Sequence, residues 1–508
     1  MSASSSCVDQ TVTRKPRRPC NQIKEKTADV VASIRFIWRP LLILTVLYLL
    51  AYSSILLTNF NYIDDMGRVA LGYAGWENFS RYTSVFLAYF IHADTYLADI
   101  SPLPQIIATI EIALASVIVL FVITGKKKYT VMMLIAALPI GISPYFLACI
   151  VYKFDSPYMA LSVLASVAPL LFAKRGKASY VAAIAVGELI VCTTYQAASG
   201  ILPMLVVFLA CKRFLEGKNG REVATFVGLS IVGYVVGLLF FRLFVYTPSE
   251  EVYVSAAVPG LSDLFPTIVA NYVQYFGDFV ADFKRSWLLL CAFVVIAFVY
   301  VTTRDSKRGK ACGFLCAVIC VVLMLLLAFG IYPALSNPLF LPRAMYGIGL
   351  LLGFLCIGIA TVKKAYLGKL FVVALCWCFV VFSFTFGNVL YAQSQWTDFR
   401  TSAVANSLAS LEEFNPDVGK VVRLEGEIGN APSAEYTIHD NPVLQRLMSE
   451  TFGGNWAWGV TGLQFYYGLP NTGVAFEGDF TSADLPLLQT NAYFDIYGEG
   501  VRFVVKLK

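Results

Sequence analysis

Runs of about 20 apolar residues, the length that crosses a roughly 30 Å hydrocarbon core, recur along the first four-fifths of the chain. Eleven are read as helical spans, near residues 38–58, 104–124, 129–149, 157–173, 179–197, 199–214, 223–245, 286–303, 311–332, 342–361 and 370–391. The polar stretches after the even-numbered spans are short and basic. They read Lys126-Lys-Lys128, Lys174-Arg-Gly-Lys177, Lys212-Arg213 through Arg221, Arg304 through Lys310, and Lys363-Lys364 through Lys369. With the N-terminal tail they hold 25 of the 39 Lys and Arg residues. Basic loops stay on the cytoplasmic side, so the tail and these loops are expected inside. The odd number of spans then places residues 59–104, and everything after Tyr391, outside. Lys284-Arg285 is the main exception to this bias.

The loop from Asn59 to Pro104 breaks the apolar pattern most sharply. It gathers five carboxylates, two arginines and His92 between two spans. Within it Phe79, Tyr82, Phe86, Tyr89, Phe90 and Ala93 recur at helical spacing, which predicts a helix lying flat on the outer membrane interface. Beyond Tyr391 the pattern changes again, and 14 of the 33 acidic residues lie in the last 117 positions. A polar helix over 394–413, a strand over 419–426, a short helix near 442–449 and a hairpin over 493–505 are predicted there. The fold class is therefore an all-α polytopic membrane body with a small C-terminal external α/β domain. Its divisions are a basic cytoplasmic tail (1–37), the membrane body (38–391) and the external domain (392–508).

Composition agrees. The chain is 58% hydrophobic and 14% charged, against roughly 25% charged in soluble domains. A net charge of +6, concentrated in loops on one face, points to a bilayer and gives no sign of nucleic acid. The first apolar run follows a long polar tail and has no small-residue cleavage site, so it reads as a retained span. Ten of the twelve cysteines lie in or beside apolar runs, and Cys7 and Cys20 lie in the tail. This is core usage and not a disulfide or zinc framework.

Transfer of a sugar to a hydroxyl requires a carboxylate to take the proton and cations to hold a departing phosphate. Asp64-Asp65 supplies the first. On helix or strand the two cannot point the same way, so one is expected to act as base and the other to orient or bind a metal; which does which is open. A divalent ion, Mg or Mn, would use Asp64 or Asp65 if one takes part. Helix capping by the pair is an equal alternative on pattern alone. Arg68, Arg81, Lys153 and Arg343 are external basic residues near span ends, where Glu77, Asp99 and Asp155 also lie. Tyr195 and Gln196 offer hydrogen bonds to a sugar. Snorkelling anchors and polar helix ends are the simpler account of each one taken singly. Glu111, Glu188 and Arg242 fall inside apolar runs and read first as paired structural charges.

Several of these pieces resemble the bacterial type II O-antigen glucosyltransferase family. They are Asp64-Asp-Met-Gly-Arg68, Gly72-Tyr-Ala-Gly-Trp76 and Asp99-Ile-Ser-Pro-Leu-Pro104, followed by Tyr152-Lys-Phe-Asp-Ser156, the Tyr195-Gln196 turn and Pro342-Arg343. The likeness covers roughly the first 390 residues. It implies a GT-C-type membrane enzyme that moves a sugar, by expectation glucose, from a polyprenyl-phosphate donor to a glycan acceptor by inverting displacement. It implies Asp64 or Asp65 as base and a basic residue receiving the lipid phosphate. A lipid-linked sugar flippase, and a related transferase acting on lipid A or protein, are the competing readings.

Overall fold

The structure is a computed structural model that describes residues 19–247, 257–415, 417–448, 452–454, 457–475 and 478–508, with side chains from residue 37 onward. The tail up to residue 18, Glu250 and Glu251 lie outside the described residues. Each predicted apolar run coincides with helix. Eight helices are long and apolar enough to cross a membrane, or nine if one bent pair is a single span. Ser156–Phe172 and Gly347–Ala360 are apolar but shorter. Gly347–Ala360 is almost wholly buried inside the bundle, and Ser156–Phe172 is mostly buried apart from Leu171 and Phe172 at its end.

The elements that place the loop between the first two spans are few. Helix α1 (Pro19–Thr58) leads into it, α2 (Asp65–Leu71) and α3 (Tyr82–His92) lie within it, and α4 (Leu103–Thr124) leaves it. Pro at the start of α4 suits a position whose N–H has no helical partner. In the bent pair, Val131–Ile142 and Pro144–Ile150 meet at 63°. Pro144 lacks an amide to continue the ladder, Ser143 before it is extended, and its Oγ caps the new helix at Phe146 N. That bend delivers the 152–155 turn beneath the first loop.

Helix α3 forms where the aromatic spacing predicts. Phe86 and Phe90 are 71% and 77% exposed, while Ser84 and Ala88 are buried, so the aromatic face points away from the protein. Beyond α5 (Lys177–Thr194), the segment after 245 contains a helix outside the eleven predicted spans, α6 (Leu261–Asp282). It exposes Leu261, Phe265 and Val273 and buries Asn271, Tyr275 and Asp282.

The last span and the polar stretch after it are one helix, α7 (Tyr366–Ala409), about 66 Å long at roughly 1.5 Å per residue. Its polar end supports a five-stranded sheet of β1 (Lys420–Glu425), β2 (Thr472–Val474), β3 (Leu487–Thr490), β4 (Phe494–Glu499) and β5 (Arg502–Leu507), in the order β2-β1-β5-β4-β3. The predicted hairpin is β4–β5, closed at the Glu499–Arg502 pair. Gly500 sits at φ 62° in its turn, where a side chain would be strained. Val404 and Leu408 of α7 share a core with Val422, Phe494 and Phe503 of the sheet. Helix α8 (Pro442–Leu447) fastens this domain to the membrane body. Arg446 reaches Asp278 at 3.0 Å and Asp282 at 2.6 Å, and Lys284 reaches Asp440 at 2.6 Å.

Candidate active site

Asn59 and Ile63, both near φ 50°, turn the chain from α1 into α2. Asp64 is the residue before α2, yet its side chain makes no capping hydrogen bond, which removes the capping account of the pair. Asp64 is half-buried. Among the described residues its carboxylate makes no hydrogen bond or ion pair, although its charge acts on Arg68, Tyr73 and Tyr152. Asp65, about 100° further around the helix, is 0% exposed. Its Oδ2 accepts the amides of Lys153 at 2.9 Å and Tyr62 at 3.3 Å, and its Oδ1 that of Phe154 at 3.4 Å. Asp65 thus pins the first loop to the 152–155 turn, while Asp64 keeps its oxygens for something else.

Burial pushes the Asp65 carboxyl from 3.8 up to about 7, against the lowering effect of the Lys153 amide. Between those values the folded chain keeps a proton that the unfolded chain has lost. Stability therefore falls as pH rises through this window and levels off above it. Asp65→Asn removes the titration. The melting midpoint of wild type minus that of Asp65→Asn is expected to fall from pH 4 to pH 7, and a difference that stays constant with pH rejects this.

The neighbouring charges are paired across long sequence separations. Arg68, 4% exposed, donates from Nη1 to Asp155 Oδ2 at 2.5 Å and from Nε to Ala74 O at 3.3 Å. Trp76 Nε1 donates to the other Asp155 oxygen at 2.7 Å, and the Arg68 guanidinium stacks 4.5 Å from the Trp76 ring centroid. Lys153 is 2% exposed. Its Nζ donates to Asn61 Oδ1 at 2.6 Å and Asp99 Oδ2 at 3.1 Å. Asp99 is partly buried, which alone would raise its carboxyl, but hydrogen bonds from Ser101 and the charge of Lys153 hold it below the usual range. Arg68, Lys153, Asp99 and Asp155 are thus mutually satisfied, and they frame the site.

A second group of predicted residues meets at a cavity of about 460 Å³. Arg81 donates to Gln196 Oε1 at 3.2 Å and lies 4.9 Å from both the Phe79 and the Tyr195 ring centroids. Arg343 and Arg242 also line this space, with Glu188 at its inner wall. Leu238, Leu239, Leu335 and Leu339 supply apolar lining. Arg343 Nη1 donates to Tyr152 Oη at 2.5 Å. Burial pushes the Tyr152 phenol far up, with the Asp64 charge adding to this, so it stays a neutral hydroxyl. Tyr152 also packs edge-on against Tyr62 at 4.9 Å, and the amide of the next residue holds Asp65. Tyr152 is therefore the hinge between the aspartates and the arginine-lined cavity.

Not every predicted residue joins these groups. Glu77 is exposed on the turn Glu77–Phe79, and its side chain makes no hydrogen bond or ion pair among the described residues. Arg242 stacks 4.3 Å from the Tyr246 ring centroid; of the acidic residues in the segment that follows it, Glu250 and Glu251 lie outside the described residues. Three residues outside the predicted site set bond to its members: Asn61, Trp76 and Tyr152. Trp76 and Tyr152 stand in the quoted motifs, but only the long-range contacts reveal their work. No three His, Cys, Asp or Glu side chains gather as metal ligands among the described residues. Of the aspartate pair, only Asp64 presents free oxygens to a cation.

The sequence model of the glucosyl transferase GtrII family matches residues 53–357, which takes in both aspartates and the arginine-lined cavity. The chain belongs to the GtrII glucosyltransferase family. It is also 22% identical over 424 residues to an uncharacterized 55.3 kDa protein in the gtrB 5′ region of Salmonella phage P22, covering 80% of this chain and 86% of the phage protein. No solved structure matches. The GtrII match ends at residue 357, so it leaves out the C-terminal sheet domain.

Proposed function

We propose that the protein moves a glucosyl residue from a polyprenyl-phosphate carrier to a cell-surface glycan such as O-antigen. The reaction takes place on the outer face of the cytoplasmic membrane, within a GT-C-type body whose tail is cytoplasmic and whose C-terminal domain is external. One observation carries this reading: the half-buried Asp64 carboxylate has no hydrogen bond or ion pair among the described residues, and Tyr152, on which its charge acts, is bonded to Arg343 of a cavity that combines arginines with an apolar wall. Family membership supports sugar transfer, and the basic loops support the orientation.

In the proposed reaction the acceptor hydroxyl oxygen attacks the anomeric carbon from the face opposite the lipid phosphate. The bond from that carbon to the phosphate oxygen breaks, with inversion. Asp64 takes the hydroxyl proton as the new bond forms. Charge that develops on the leaving phosphate rests on Arg81 and Arg343, which can meet it with charge-assisted hydrogen bonds. The isoprenoid chain lies along the leucines of the cavity. Asp65, Lys153 and Asp155 hold the two loops in register.

The test is transfer in proteoliposomes from radiolabelled polyprenyl-phosphate-glucose to O-polysaccharide. Wild type is expected to label the polysaccharide with inversion at the anomeric centre. Arg343→Gln is expected to raise the donor KM by about 10- to 100-fold, the scale of a lost charged hydrogen bond. Movement of the lipid-linked sugar across the bilayer without transfer would instead establish the flippase.

A further inference from the structure

A second cavity lies where the C-terminal domain closes over α2 and the first loop. It holds about 230 Å³ and is lined by Trp458, Tyr466, Tyr467, Asp398, Asn59 and Asn61 among others. Trp458 opens helix α9 (Trp458–Phe465). Its ring packs so closely on Gly67 that a Cβ there would stand 2.4 Å from Cζ3. Gly67 is three residues after Asp64, and residues three apart share a helix face. The indole therefore reaches the same side of α2 as the Asp64 carboxylate.

The polar groups of this cleft are tied to the site. Asn61 Nδ2 donates to Tyr466 Oη at 3.2 Å, and Tyr466 Oη donates to Met66 O at 3.2 Å. The other end of Asn61 accepts from Lys153, the residue whose amide holds Asp65. Tyr467 Oη donates to Asp398 Oδ1 at 2.5 Å. This orients the carboxylate, and Oδ2 makes no hydrogen bond among the described residues.

The chemistry differs from that of the first cavity. Among the described residues no Lys or Arg lines this cleft, whereas three arginines line the other. A phosphate has nothing to meet here. Flat aromatic faces with polar tips, a carboxylate and two amides suit a ring that shows C–H groups on one face and hydroxyls around its edge. The volume is below the roughly 300–1,000 Å³ of drug-sized sites, which suits one sugar unit of a longer chain.

We infer that this cleft binds a neutral, hydroxyl-rich sugar ring of the acceptor glycan and presents its hydroxyl to Asp64. The inference rests on the glycosyl-transfer reading and assigns the C-terminal domain the acceptor side of the same site. Donor and acceptor then occupy different cavities. The glycan enters between α9 and the first loop, and the lipid enters from the arginine-lined cavity.

Steady-state kinetics of the full-length protein in proteoliposomes, with polyprenyl-phosphate-glucose and a panel of neutral O-polysaccharide fragments, tests this. Trp458→Ala and Asp398→Asn are each expected to raise the acceptor KM at least tenfold and to move the donor KM less than twofold. Asp398→Asn keeps the shape of the site, so it decides the matter if Trp458→Ala does not fold. An acceptor KM within twofold of wild type in the folded variants overturns the inference. So does an equal rise in both KM values, or saturation by a peptide acceptor in place of the glycan. Wild type that transfers nothing to any fragment overturns the glycosyl-transfer reading itself, a distinct result.

Discussion

Asp64→Asn is expected to lower kcat for sugar transfer by about 10²- to 10⁴-fold, the usual contribution of a positioned general base. The amide matches the carboxylate in shape, and Asp64 holds up no other described group by hydrogen bond or ion pair. The variant is therefore expected to keep its fold and to change both KM values little. That combination marks an interaction made in the transition state and absent from substrate binding. Asp65→Asn is expected to behave differently. It places an NH₂ group against amides that now donate to carboxylate oxygens at 2.9–3.4 Å, so stability falls along with activity. Single-turnover rates and melting midpoints on both variants separate the two roles. Full activity in Asp64→Asn with none in Asp65→Asn would move the base to Asp65. The pH–rate profile would then turn near its raised value of about 7.

The sequence carried much of this, unevenly. Lipid demands long apolar helices with satisfied backbones, so each membrane helix announces itself as a run of residues. The charged first loop stood out against that background for the same reason. Helix α6 was harder to see, because Asp263, Asp278 and Asp282 interrupt its apolar face and its buried side is fixed by packing on other elements. The pairings at the site were not readable at all. Arg68 and Asp155 are 87 positions apart, Asn61 and Tyr466 are 405 apart, and nothing local specifies either contact. Capping and catalysis by Asp64-Asp65 were equally consistent with the pattern. The missing cap hydrogen bond at Asp64 removes the first, and that is a property of the folded loop.

Arg68 is where sequence and structure diverge most in consequence. From its position alone it is a candidate for the lipid phosphate, but in the fold it is buried against Asp155 and Trp76. Removing one member of a buried ion pair leaves the other charged and without its partner, which costs about 3–5 kcal/mol. Arg68→Met is therefore expected to lower the melting midpoint in detergent sharply. The double variant Arg68→Met with Asp155→Leu is expected to recover most of that loss, because replacing both charges with apolar groups is often neutral. A double-mutant cycle on the two positions measures the coupling. Additive losses would mean that the pair does not act as a unit. Transfer activity of the double variant then separates the two roles of Arg68. If activity returns with stability, the arginine serves only to fix the 152–155 turn beneath α2. If stability returns and activity does not, the guanidinium exchanges Asp155 for the donor phosphate during the reaction.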